Sequence, residues 1–215
     1  MTIVAQDTFT RADTTGSTTI SNAAGWGTSS DGEAWSTLPT TSCTFKIVSN
    51  RGQESGDTGR DHVRLGTQTL ADAEALVRFS VSNIANYFGL TLRQTDTSNW
   101  YAARYNNGKL DLEKDVTGTA TQITNTTFTI TANTLYWLRF RCQGTNLKAK
   151  IWADGSSEPG SWTLTTTDSA LTSAAGFGFV WNNPSSSDVI KVDSYSVDNL
   201  VAHVLISDGY GGVFT

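Results

Sequence analysis

The chain has 215 residues, 38% of them hydrophobic, with seven Trp, six Tyr and nine Phe. Its net charge is −5 and its pI near 4.9, which argues against nucleic acid as the main partner, because phosphate binding needs a basic surface. No apolar run is long enough for a transmembrane helix, so no membrane insertion is expected, and the length suits a single domain.

Thr2–Thr10 reads as a first strand. The opening MTIVAQDTFTRAD lacks the basic and apolar regions of a signal peptide. The expectation is a leader exchanged for Met1, or exit without one, as virion components leave at lysis. Arg11–Thr41 is a long Gly/Ser/Thr-rich loop, with Trp26 and Trp35 read as plugs that hold it down. Cys43–Val48 is a strand, Arg51–Arg60 a polar Gly-rich loop, and His62–Leu65 a short strand. Ala71–Val81 alternates, with Ala73, Ala75, Val77, Phe79 and Val81 inward. Tyr87–Arg93 puts Phe88, Leu90 and Leu92 inside. Trp100–Tyr105 and Lys109–Val116 form a hairpin around Asn107-Gly108, a strong short turn signal. Thr119–Ile130 holds one or two short strands.

Leu135–Asp154 is the clearest segment. Tyr136, Leu138, Phe140 and Cys142 alternate with Trp137, Arg139 and Arg141; after a Gly144 turn, Leu147, Ala149 and Ile151 alternate with Lys148, Lys150 and Trp152. Period 2 on both sides of a turn is an antiparallel hairpin, buried on one face and wet on the other. Trp162–Asp168, Gly176–Asn182 and Val189–Val201 complete the strands, the last a candidate partner of the first. No window has helical periodicity. Many short strands with frequent turns predict an all-β antiparallel sandwich spanning residues 1–202. The remaining residues, 203–215, form an apolar, Gly-rich tail. Leu205, Tyr210 and Phe214 make it a candidate assembly element for a homo-oligomer or a particle partner, or a segment docked on its own domain. Cys43 and Cys142 both fall on inward phase, as two buried thiols or as a disulfide.

Several segments carry a resemblance. DTFTRAD at Asp7–Asp13, GWGTSSDGEAW at Gly25–Trp35, NWYAARY at Asn99–Tyr105, LYWLRFRC at Leu135–Cys142, LKAKIWADGSSEPGSW at Leu147–Trp162 and VDSYSVDNL at Val192–Leu200 resemble a laminin-G/concanavalin-like jelly-roll family. The resemblance spans roughly residues 5–201. It implies two curved antiparallel sheets, a lectin-like role, and a structural Ca²⁺ between the first and last strands, held at the positions matching Asp7 and Asp198. Such a module belongs outside the cell, on a cell surface or on a virion.

Candidate glycan contacts are the outward aromatics Tyr87, Trp137 and Trp152, with Arg104 and Arg139 beside them by parity. Sugars need an aromatic plane to stack on and planar polar groups to bind hydroxyls. The same residues also suit a solvated face laced by cross-strand ion pairs. Trp181-Asn182-Asn183-Pro184 at a strand end is a second candidate, against a core Trp followed by a turn. Asp72/Glu74 and Asp111/Glu113 have the spacing of paired carboxylates, a pattern common on any sheet. No nucleophile-elbow, zincin or phosphate-loop motif is present. The sequence therefore reads as a non-enzymatic lectin-like module that binds a polysaccharide or cell-surface glycan. The alternative is a virion decoration or tail subunit using the jelly roll as a rigid spacer.

Overall fold

The structure, a computed structural model, describes residues 2–16, 25–38, 43–56 and 58–200. The assembly residues Leu205, Tyr210 and Phe214, and the boundary at residue 202, lie outside them.

Among the described residues there are fifteen strands and no helix. They are β1 (Thr2–Asp7), β2 (Trp35–Leu38), β3 (Thr44–Ile47), β4 (Gly52–Ser55), β5 (Arg60–Leu65), β6 (Ala73–Val81), β7 (Tyr87–Asp96) and β8 (Asn99–Asn106). Then come β9 (Lys109–Val116), β10 (Thr119–Thr127), β11 (Tyr136–Gln143), β12 (Asn146–Ala153), β13 (Leu164–Thr167), β14 (Gly176–Asn182) and β15 (Val189–Asn199). One sheet runs β13-β12-β11-β6-β15-β4-β3, with β1 also on β15; the other runs β10-β9-β8-β7-β14-β5-β2. Every strand pair is antiparallel, and the two sheets form a sandwich.

The alternating segments fold as their period dictates. Trp137 pairs with Trp152 and Phe140 with Ala149 in the β11–β12 hairpin, and its inward residues are buried. Asn107 and Gly108 adopt positive φ of 43° and 84° between β8 and β9, the conformation a two-residue hairpin turn demands. β15 is the last clear strand and pairs with β1, as the pattern anticipates. Arg51–Arg60 departs from its reading as a loop. Gly52–Ser55 is a strand, pinned between β3 and β15, with Glu54 buried. A run reading GQES has no apolar alternation, so its strand state comes from its neighbours.

Trp26 and Trp35 are 2% and 1% exposed and do plug the long loop onto the core. Trp35 stacks on Phe179 at 5.2 Å, and Trp26 meets Phe9 edge-on at 5.4 Å. Burying each such ring is worth roughly 1.5–3 kcal/mol. Cys43 and Cys142 are buried thiols not joined in a disulfide; Cys43 donates to Asp61 at 3.2 Å and accepts from Trp181 Nε1 at 3.4 Å.

Candidate functional site

The two positions assigned to calcium do not meet. Asp7 pairs with Tyr195, whereas Asp198 pairs with Ile3, near the other end of β1. That separation is about 10 Å or more at the rise of a strand. Asp7 is buried on the core side, beside buried Ala5 and Tyr195; Asp198 turns outward with Ile3. The Asp7 carboxylate is also fully engaged. It accepts two hydrogen bonds from Arg11 at 2.8 and 2.9 Å, one from Trp35 Nε1 at 2.7 Å and one from Phe9 N at 2.8 Å. A calcium ion needs six to eight oxygens with free lone pairs. Among the described residues, no cluster of three or more His, Cys, Asp or Glu side chains could hold a metal. Asp7 and Asp198 thus do not fit a shared Ca²⁺.

The candidate glycan residues divide between the two outer faces of the sandwich. Trp137, Arg139 and Trp152 lie on the eight-stranded sheet, and Tyr87 and Arg104 on the seven-stranded one. Parity along a strand separates in from out, but it cannot say which of two outer faces a residue joins.

On the eight-stranded sheet the aromatics are engaged internally. Trp137 and Trp152 stack on each other at 6.2 Å. Arg139 is paired with Glu74 and Glu158, and Arg141 with Glu74. Lys150 binds Glu158 at 2.7 Å and donates to the Pro159 carbonyl at 2.8 Å. Trp162 sits within 5.1 Å of the Arg141 guanidinium and 5.0 Å of the Lys150 ammonium. The segment after β12 therefore lies over this face and leaves Trp152 only 7% exposed. This is a cross-strand ion-pair ladder with its own cover.

The seven-stranded sheet is different. Its outward residues form rows across the strands. One row reads Arg60, Asn182, Tyr87 and Asn106; the next reads His62, Val180, Gly89, Arg104 and Asp111. A third reads Arg64, Gly178, Thr91, Ala102 and Glu113, and Asp115 lies opposite Trp100 beyond it. Arg60 on β5 reaches Asp115 on β9 at 3.3 Å. Four strand spacings separate those strands, about 19 Å on a flat sheet. The contact requires the sheet to curl into a trough. Glycine permits this curl: a Cβ on Gly178 would fall 1.9 Å from the Val63 carbonyl oxygen, and one on Gly89 2.4 Å from that of Ala103.

A cavity of about 280 Å³ opens in this trough, lined by Arg60, Tyr87, Arg104, Asn106, Val180, Trp181 and Asn182. The Arg104 guanidinium lies 5.9 Å from the Tyr87 ring centre. Arg104 is held by Asp111 at 3.1 Å and by Glu113, and Asn106 donates to Asp111 at 2.5 Å. Next to the cavity-lining Arg60, Arg104 and Val180, His62 Nε2, Glu113 Oε1 and Asp115 Oδ1 are buried without a hydrogen-bond partner. Such atoms cost stability unless water or a ligand meets them.

Burial, then the nearby Arg60 and Arg104 charges, push the His62 pKa down to about 3. The ring is neutral; with Nδ1 bonded by the Gln94 amide at 2.8 Å, Nε2 carries the proton and is a free donor. Burial raises the Glu113 and Asp115 pKa values, against the lowering pull of the arginines.

A pH prediction follows from His62. Unfolded, it takes a proton near pH 6.5; folded, not until about pH 3. The unfolded chain binds more protons across that window, so stability falls as pH drops through it, by about 2 kcal/mol at pH 5. Glu113 and Asp115, raised when folded, offset part of the loss where they titrate. His62→Asn is expected to flatten the Tm-against-pH profile below pH 6.5; an unchanged slope would refute the assignment.

Sequence reasoning named Tyr87, Arg104 and the Trp181–Pro184 turn. Of that turn, Asn182 lines the cavity, Trp181 packs its ring in the core, and Asn183 is buried against Glu54 at 2.9 and 3.1 Å. Arg60, His62, Asn106 and Asp115 were missed. The run Asp111-x-Glu113-x-Asp115 on one strand face was the available signal.

No family model matches the sequence, and no curated protein matches it. Solved structures do. A carbohydrate binding module CBM66 from Bacillus subtilis is 16% identical with a TM-score of 0.58, covering 74% of this chain and 94% of its own. The exoplasmic/lumenal domain of VIP36 in its Ca²⁺/Man-bound form is 13% identical with a TM-score of 0.56, covering 82% and 88%. A xylan β-1,4-xylosidase from Bacillus halodurans C-125 is 12% identical with a TM-score of 0.56, covering 77% of this chain but 36% of that enzyme. The chain is an all-β protein with the jelly-roll sandwich fold of lectin and carbohydrate-binding domains.

Proposed function

We propose that the protein binds an uncharged saccharide in the trough of the seven-stranded sheet, through the cavity between Arg60, Tyr87, Arg104, Asn106 and Asn182. The observation that carries this reading is the row of planar polar groups around one aromatic ring, beside buried donors and acceptors with no partner. Vicinal hydroxyls both donate and accept, and they match such a set; the Tyr87 ring supplies the stacking plane. Charge favours a neutral ligand. Arg60 and Arg104 stand among Asp111, Glu113 and Asp115 and are already paired with them. A uronate or sialate would meet arginines whose charge is spent. The names of two structural neighbours, a carbohydrate binding module and a Ca²⁺/Man-bound lumenal domain, support the same class of ligand.

The test is a glycan array carrying neutral and acidic polysaccharides, probed with wild type and Asn182→Ala. Binding to neutral glycans that Asn182→Ala weakens at least about tenfold is the expected result. Binding only to acidic glycans would overturn the neutral assignment, and binding that ignores Asn182→Ala would overturn the site.

A further inference from the structure

We propose that β10 is a self-association edge, on which two copies of this chain pair antiparallel to make one continuous sheet. A strand edge presents a row of backbone donors and acceptors that templates another strand unless it is blunted. The other open edges here are blunted. β2, β3 and β13 are four residues long each. The free flank of β1 is occupied: Gln68 donates to the Val4 carbonyl at 3.0 Å, and Asp31 accepts from Gln6 N at 2.6 Å.

β10 differs from them. It runs nine residues, TATQITNTT, without a charge or a proline. It pairs with β9 alone, and among the described residues no hydrogen bond uses its outer flank. Thr119–Gln122 are exposed. In a chain of net charge −5, an uncharged edge is where a like-charged copy can approach.

The edge is also self-complementary. A register shift at Ile123 divides it into Thr119–Gln122 and Thr124–Thr127. The shift inverts the parity of the two runs, so Ala120, Gln122, Asn125 and Thr127 share the face of Asp111 and Glu113, and Thr121, Thr124 and Thr126 the other. A two-fold axis between Ile123 and Thr124 sets the first run of one copy against the second run of the other. Gln122 then faces Asn125 and Ala120 faces Thr127 on the outer face, and Thr121 faces Thr126 on the inner one. β-branched and amide side chains make favourable cross-strand pairs. Two seven-stranded sheets become one of fourteen strands. If the trough is the glycan site, both troughs open on the same side, and the dimer binds a polysaccharide bivalently.

Sedimentation velocity of the full chain over a concentration series tests this without any glycan. Wild type is expected to associate as concentration rises. Gln122→Lys with Asn125→Lys, both at exposed positions on one face, should keep the melting temperature and remain monomeric, because lysines then oppose lysines. Mixing that variant with Gln122→Asp/Asn125→Asp should restore association. A wild type monomeric to its solubility limit, association unchanged by the lysines, or a mixture that stays monomeric would each overturn the proposal.

Discussion

Asp7→Ala is expected to destabilise the protein by about 3–5 kcal/mol, the cost of breaking a buried ion pair from one side. The carboxylate is 0% exposed and binds Arg11, Trp35 Nε1 and the Phe9 amide at once. Its loss leaves all of these donors without their acceptor. It also releases Phe9 from a positive φ of 52°, a conformation costly for a bulky residue. Phe9, Trp26 and Trp35 pack together, so the plug of the long loop loosens with it. Urea denaturation measures the loss. It should be the same in calcium and in chelator, because the stabilising partner is Arg11 rather than a metal. A loss that appeared only when calcium was present would restore the metal to Asp7.

The second large effect falls in the trough. Arg104→Ala strips the shared cation from Asp111 and Glu113, which are 0% and 6% exposed. Two buried carboxylates without the cation between them should again cost about 3–5 kcal/mol at neutral pH, although Asn106 still donates to Asp111 and Arg60 still lies 3.8 Å from Glu113. The loss has a defined pH dependence. Without Arg104, the folded-state pKa of Glu113, already raised by burial, rises further above its unfolded value. The folded variant then binds more protons than the unfolded chain, and its stability recovers as pH falls toward the ordinary carboxylate range. The gap to wild type in urea denaturation should narrow at mildly acid pH. A gap independent of pH would mean that Arg104 acts through packing alone.

Much of the fold was legible because a strand's period is local. The alternation from Tyr136 to Ile151 names its core-facing residues one by one, while Lys150 on the outer face is buried by the segment after β12. Trp26 and Trp35 stood out as plugs because large aromatics in a polar loop have few other uses. β4 was not legible, since Glu54 and Gln53 are buried by β3 and β15 rather than by their own pattern.

The site was legible only in part. Tyr87 and Arg104 were named, but the trough arises from curl, which brings Arg60 to Asp115 across 55 positions of sequence. No local pattern encodes that contact. Trp137 and Trp152 have outward parity but stand on the other sheet, where the segment holding Glu158 and Trp162 packs on Arg139 and Lys150, Trp152 is buried and Trp137 stays half-buried. Asp7 was assigned to a metal through the resemblance alone; its actual partners, Arg11 and Trp35, belong to the loop that folds back over it, which no local pattern announces.

The most direct test of the account is isothermal titration of a neutral polysaccharide into wild type, Tyr87→Ala and Trp137→Ala. Tyr87→Ala is expected to lose at least about tenfold in affinity, while Trp137→Ala, on the opposite sheet, binds like wild type. Binding abolished by Trp137→Ala and kept by Tyr87→Ala would place the ligand on the eight-stranded sheet and contradict the trough as the site.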